Sequence, residues 1–420
     1  MPLAFLRRPF LRAASAVPPH PQPDHHGLSG NGVQRQHGLD LLRAVAIVLV
    51  FTYHYALFVS REPTFGWVST LGWTGVDLFF VLSGYLIANQ LMGGLRRGGE
   101  LSLPRFYGRR LLRTLPCFYV VLALFWCFPA EMGGRTPPPL WRFLTFTQNI
   151  NLPPGTAFSH AWSLCIEEQF YLVLPASLAL GWSLRRHRRR LAWALIGLLT
   201  LAACAWRDHL WRLYGSEAGN AVALYHPQLY YASLARLDEF LPGVAVALLR
   251  HGHPAAWARL MAHPRWLLAA ALLACGAMGV WLLDSYYIDG VGYGRATTAM
   301  GYSLNAWSFA LLVTAALAPQ GLLARARVPG AAALARWSYP LYMIHKPIGY
   351  MLLTPLAVLG ISAQSWSAAV LVTAVSLLGG WALHRLVERP FLSLRDRWLP
   401  TQFLGTPRAT TGHSRSAQHA

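Results

Sequence analysis

Runs of about 20 apolar residues, each separated from the next by a short polar connection, recur along the chain, and one such run is long enough to cross the hydrocarbon core of a bilayer as a helix. They fall near residues 40–59, 71–93, 111–129, 162–182, 191–206, 227–249, 266–284, 302–319, 334–356 and 366–387. The pattern predicts an all-α fold, a polytopic membrane bundle of about ten transmembrane helices. The fifth run is short and the sixth carries Arg236, Asp238 and Glu239, so these two are the weakest spans. Arginine-rich connections alternate with polar ones. Arg96, Arg97, Arg105, Arg109 and Arg110 follow the second run, Arg185, Arg186, Arg188, Arg189 and Arg190 the fourth, and Arg250, Arg259 and Arg265 the sixth. Basic connections stay in the cytoplasm, so both termini are expected there. The domain reading is a disordered basic tail over residues 1–38, a transmembrane domain over 39–393 and a disordered tail over 394–420.

Composition agrees: 55% of the 420 residues are hydrophobic and 12% charged, against about 25% charged in an average soluble domain. The formal charge of +20 suggests nucleic acid only if it gathers on one face. Here it sits in clusters between apolar runs, so the expected partner is membrane lipid and no nucleic acid. None of the five cysteines has Cys-x-x-Cys or Cys/His spacing, so neither a disulfide framework nor a metal site is expected.

Charged side chains at the centre of a membrane helix cost about 2.5–3.5 kcal/mol on insertion scales, which makes their placement informative. In the first run Arg43 and His54 are eleven residues apart. That spacing returns to nearly the same helix face with an axial separation of about 16 Å. Arg43 alone also reads as an interfacial anchor, and His54 as an interhelical hydrogen-bond partner. Asp77 follows Thr74 by three residues, a spacing that also suits a carboxylate at a helix N-terminus. Ser83, Gly84 and Ala88 suit close helix packing. Arg109, Arg110 and Arg113 open the third run, where guanidiniums either snorkel or bind phosphates. Glu167 and Glu168 lie about two turns inside the fourth run and point some 100° apart, so at least one is expected to face a polar cavity and meet a cation or donor. In the ninth run Tyr342 and His345 share a face at a depth like that of His54, and Lys346 either joins them or snorkels outward.

Taken in order, these segments resemble the acyltransferase 3 family of bacterial membrane O-acyltransferases. The resemblance spans roughly residues 37–393 and rests on Arg43 and His54, then VDLFFVLSGYLI, RRLLRTLP, HAWSLCIEEQFYLVLP, SYPLYMIHKP and VERPF. Cys165 and Lys346 depart from the family pattern. The resemblance implies a multi-pass protein of the bacterial inner (plasma) membrane that moves an acyl group, expected to be acetyl, from acyl-coenzyme A on the cytoplasmic side. The acceptor is expected to be a hydroxyl of a cell-surface glycan such as lipopolysaccharide, exopolysaccharide or peptidoglycan, or a lipid-linked sugar. Acyl-coenzyme A (acetyl-coenzyme A) enters as co-substrate, with no tightly bound cofactor. Arg43, Arg109, Arg110 and Arg113 are then expected to hold the coenzyme phosphates. His54 is expected to be the general base, oriented by Glu167 or Glu168 as a carboxylate orients the histidine of a triad. Asp77, Ser83, Tyr342 and His345 are further candidates for catalysis or acceptor binding. A secondary transporter or flippase with a buried proton relay is the alternative that the same buried charges admit.

Overall fold

The computed structural model of the chain describes residues 36–183, 188–215, 221–288 and 292–404. The predicted tails before residue 36 and after residue 404, with Arg185 and Arg186, lie outside the described residues. The body is a helical bundle. Its main helices are α1 (His37–Tyr55), α2 (Thr74–Arg96), α3 (Leu103–Cys127), α4 (Trp162–Ser183), α5 (Arg188–Tyr214), α6 (Leu241–Gly252), α7 (Pro264–Ser285), α8 (Tyr302–Ala316), α9 (Ala331–Met351), α10 (Trp366–Leu383) and α11 (Arg389–Trp398). Among the described residues there are also several short helices and four two-residue strands: β1 (Glu100–Leu101), β2 (Tyr287–Ile288), β3 (Gly292–Tyr293) and β4 (Phe403–Leu404).

Among the described residues, seven helical stretches are long and apolar enough to cross a membrane. They contain α1, α2, α3, α4, α5, α7 and α10, the last continuing through α11 as Trp366–Trp398. The other three predicted runs are helical too, each with a physical reason for falling short as an independent span. The sixth is broken into short turns from His226 to Phe240, ahead of the 12-residue α6. Helix α8 has 15 residues and is lengthened by a wide π-turn over Thr297–Gly301. Helix α9 has 21 residues but carries Arg336, His345 and Lys346 and two internal prolines. The fifth run, predicted to end near residue 206, continues to Tyr214 because Arg207 is buried and paired rather than at the surface.

Helix α2 lies centrally, with 67% of its apolar stretch buried, whereas α5 and α7 have 17% buried and form the rim. Leu201 of α5 and Leu273 and Val280 of α7 are largely exposed on this rim, as is Leu180 of α4. Apolar side chains in that number on an outer surface are what a lipid-facing belt requires. The chain is thus a multi-pass helical membrane protein. Helix starts follow local chemistry where the sequence supplies it. Proline stands in the first turn of α3, α6 and α7, where no N–H partner is lost, and the Ser365 hydroxyl accepts from the Ala368 N–H to cap α10. The ordered chain also runs past residue 393, where a disordered tail was expected. Helix α11 continues to Trp398, and β4 pairs antiparallel with β1, with Leu101 opposite the buried Phe403.

Candidate active site

Three histidines from three parts of the chain converge. His54 ends α1, His160 sits in the turn just before α4, and His345 is on α9. His54 Nδ1 lies 2.7 Å from His345 Nε2 and the rings stack at 4.9 Å. His345 Nδ1 lies 2.9 Å from the Leu341 carbonyl, four residues earlier on its own helix. A carbonyl only accepts, so His345 Nδ1 carries the proton. Neutral His345 then accepts at Nε2, which makes His54 Nδ1 the donor. The lone pair of His54 is left on Nε2. By the same logic His160 Nε2 donates to the Met343 carbonyl at 3.1 Å, and its buried Nδ1 has no hydrogen-bond partner among the described residues.

His54 and His160 open into a small cleft of about 40 Å³ that Phe58, Ser159, Trp162 and Tyr342 also line, together with Tyr230, Tyr231 and His226. The Tyr342 hydroxyl contacts the His160 carbonyl and, at 2.7 Å, Ser163 Oγ. Burial holds the imidazole of His226, in the connection between α5 and α6, down at about 4, so it faces the cleft uncharged.

A second polar cluster lies deeper. Glu167 is seven residues beyond His160, about 10 Å at helical rise. It accepts short hydrogen bonds from Ser83 and Tyr171. Arg110 stacks on Tyr171 at 3.8 Å, with Glu167 and Glu168 as acidic neighbours. Arg43 is half-buried among Arg113, Asp40 and Glu167, and Arg113 also faces Glu168. Arg109 stands apart, donating to the Leu399 carbonyl just beyond α11 and pairing with Asp396 of α11 at 3.5 Å.

Of the residues singled out from the sequence, His54, Tyr342 and His345 come together, and Arg43, Arg110, Arg113, Glu167, Glu168 and Ser83 form the deeper cluster. The expectation that Glu167 or Glu168 orients His54 is corrected: His54 Nδ1 is held by His345, and Glu167 is committed to Ser83 and Tyr171. Asp77 is also elsewhere. It accepts from Arg236 and Asn305, each at 2.7 Å, in a buried network that includes Glu239. The Arg236 guanidinium lies 4.1 Å from the Tyr302 ring centre and 4.8 Å from that of Tyr230. Sequence reading missed His160, although it stands immediately before the fourth run at the depth expected for His54. It also missed Arg207, which makes two hydrogen bonds to Asp238 at 2.7 and 3.2 Å.

A helical membrane bundle whose interior holds an imidazole-lined cleft above a guanidinium–carboxylate cluster is a scaffold for polar chemistry inside lipid. The family model described as an acyltransferase domain matches residues 36–385, and the chain belongs to that acyltransferase 3 family. It is 29% identical over 379 residues to YrhL of Bacillus subtilis strain 168, named provisionally as a peptidoglycan O-acetyltransferase, covering 84% of this chain and 54% of that protein. It is 30% identical over 228 residues to the peptidoglycan O-acetyltransferase OatA of Listeria monocytogenes, covering 50% of this chain and 33% of that one. The chain thus spans about half the length of the first relative and a third of the second. No solved structure matches it significantly.

Proposed function

We propose that this protein is a membrane O-acyltransferase that moves an acyl group, acetyl by the names of its relatives, from acyl-coenzyme A to a glycan hydroxyl at the bacterial inner membrane. The observation that carries the reading is the His345-to-His54 hydrogen-bond chain, which leaves His54 Nε2 as a free base at the cleft. A neutral imidazole held in this way suits removal of a proton from an attacking hydroxyl at physiological pH. Arg43 and Arg113 at the deeper end would attract the coenzyme phosphates from the cytoplasmic side, and the α1 face between Arg43 and His54 matches an extended pantetheine arm. Part of that positive charge is already answered by Glu167 and Glu168, so donor recognition rests on Arg43 and Arg113 more than on Arg110. Peptidoglycan is the acceptor that the relatives' names favour, and a lipid-linked sugar is the second acceptor class.

The test is release of free coenzyme A by the purified protein in nanodiscs, with glycan fragments as acceptors. His54→Ala is expected to lower turnover roughly a hundredfold or more, and Arg43→Ala to weaken use of the donor. Wild-type turnover by both variants, correctly inserted, would end the reading.

A further inference from the structure

Beside the three imidazoles lies a pair of groups that the general-base mechanism leaves unused. Ser159 is buried and lines the cleft. Lys346, the only lysine in the chain, places Nζ 3.0 Å from Ser159 Oγ and 4.2 Å from the centre of the Phe58 ring. Among the described residues no carboxylate pairs with this amine, and its one hydrogen bond is the one it donates to the serine hydroxyl. An ammonium in low-dielectric surroundings is normally answered by a carboxylate. An amine whose one hydrogen-bond partner is a hydroxyl is placed, as the free base, to take that hydroxyl's proton, the arrangement of a serine–lysine nucleophilic dyad.

We propose that Ser159 carries the acyl group as a covalent ester between donor and acceptor, with Lys346 as the base that activates it. The inference rests on the acyl-transfer reading above and deepens it. In the first half, Ser159 Oγ bonds to the thioester carbonyl carbon as the carbon–sulfur bond breaks. The hydroxyl proton passes to the free-base amine of Lys346 and on to the departing thiolate, which leaves as coenzyme A thiol. In the second half, the acceptor hydroxyl oxygen attacks the serine ester and gives its proton to His54 Nε2. The ester carbon–oxygen bond breaks, and that proton restores the Ser159 hydroxyl. Two steps let the donor leave before the acceptor enters, so the cleft beside Ser159 need not hold both at once.

The experiment is an acid quench of the nanodisc protein with radiolabelled acetyl-coenzyme A and no acceptor, followed by peptide mapping. Label is expected on the peptide containing Ser159, chased off when glycan acceptor is added, absent in Ser159→Ala and formed roughly a hundredfold more slowly in Lys346→Met. Lys346→Arg separates base from anchor: arginine keeps a long hydrogen-bond donor beside Phe58 and Ser159 but stays protonated and cannot accept the serine proton. It is expected to stay as slow as Lys346→Met, and recovery of wild-type labelling would overturn the role of Lys346. Should Ser159→Ala fail to fold, Ser159→Cys serves, with label released by neutral hydroxylamine as a thioester. Steady coenzyme A release without label at residue 159 in the wild type, or in the cysteine variant, would overturn the inference and leave the acyl-transfer reading standing. No thioester cleavage by the wild type with any acceptor would overturn both.

Discussion

A neutral imidazole has one N–H and one lone pair, so whatever binds one nitrogen decides what the other does. The Leu341 carbonyl therefore sets His345, and His345 sets His54. This makes His345 a positioning residue with a specific expectation. His345→Gln retains a carbonyl oxygen able to accept from His54 Nδ1, whereas His345→Phe retains volume and no acceptor. We expect His345→Phe to lower kcat roughly a hundredfold with little change in the KM for acyl-coenzyme A, and His345→Gln to recover a substantial part of that loss. Equal damage by both, or a change confined to KM, would remove the positioning role. In the deeper cluster Arg113→Ala is expected to raise the donor KM at least about tenfold, since one charge-assisted contact contributes about 1.5–3 kcal/mol, with kcat nearly unchanged. The shared depth of His54 and His345 was legible from helical rise alone, because both runs are continuous. The partner of Glu167 was not: rise fixes how deep a side chain lies but not which neighbouring helix its face meets, and Ser83 and Tyr171 claimed it. His160 escaped because it lies in a turn, where no periodicity assigns a face.

Between elements, close packing in a membrane depends on small residues, since lipid is as apolar as any side chain it would displace. A Cβ on Gly84 of α2 would stand 2.2 Å from the Phe240 carbonyl oxygen, and one on Gly243 of α6 2.1 Å from the Val81 carbonyl oxygen. Both obstacles are backbone, so neither yields by a rotamer change. Gly84→Ala is accordingly expected to push α2 from α6 and destabilise the protein by about 1–3 kcal/mol. Thermal unfolding in detergent would register it, and a melting temperature unchanged from wild type would refute the crossing as drawn. The sequence already marked Ser83, Gly84 and Ala88 as a packing face; Gly84 meets Phe240 at the start of α6, while Ser83 turns to Glu167 of α4. What it concealed was the break before α6. Arg236, Asp238 and Glu239 read as an anomaly within one span, whereas the chain resolves them by abandoning regular helix from His226 to Phe240 and pairing the charges inward. Strand β4 was hidden for a different reason: a two-residue pairing with β1, anchored by Phe403 against Gly94 and Gly99, leaves no periodic signature.

Over the whole molecule the buried charges fall into layers with different partners. The network of Arg207, Asp238, Arg236, Asp77 and Glu239 ties α2, α5, α8 and the turns before α6 together through Ser303 and Asn305. A proton relay of the kind a transporter uses needs carboxylates whose partners change during the cycle. Asp238 is instead fixed by both terminal guanidinium nitrogens of Arg207 and by Ser303, and Arg207 is further held by the Ala235 and Ala299 carbonyls. That arrangement suits a structural clasp, and the two roles separate by experiment. Arg207→Met leaves Asp238 buried and uncompensated, a loss expected at about 3–5 kcal/mol, whereas Arg207→Met combined with Asp238→Leu removes both charges and is expected to regain most of that stability. If the layer only braces the bundle, the double variant, once folded, should release coenzyme A at a rate within a few-fold of wild type, because neither residue lines the histidine cleft. A stable double variant with no turnover would show instead that this layer moves protons for the reaction, and the division between a bracing network and a catalytic cleft would have to be abandoned.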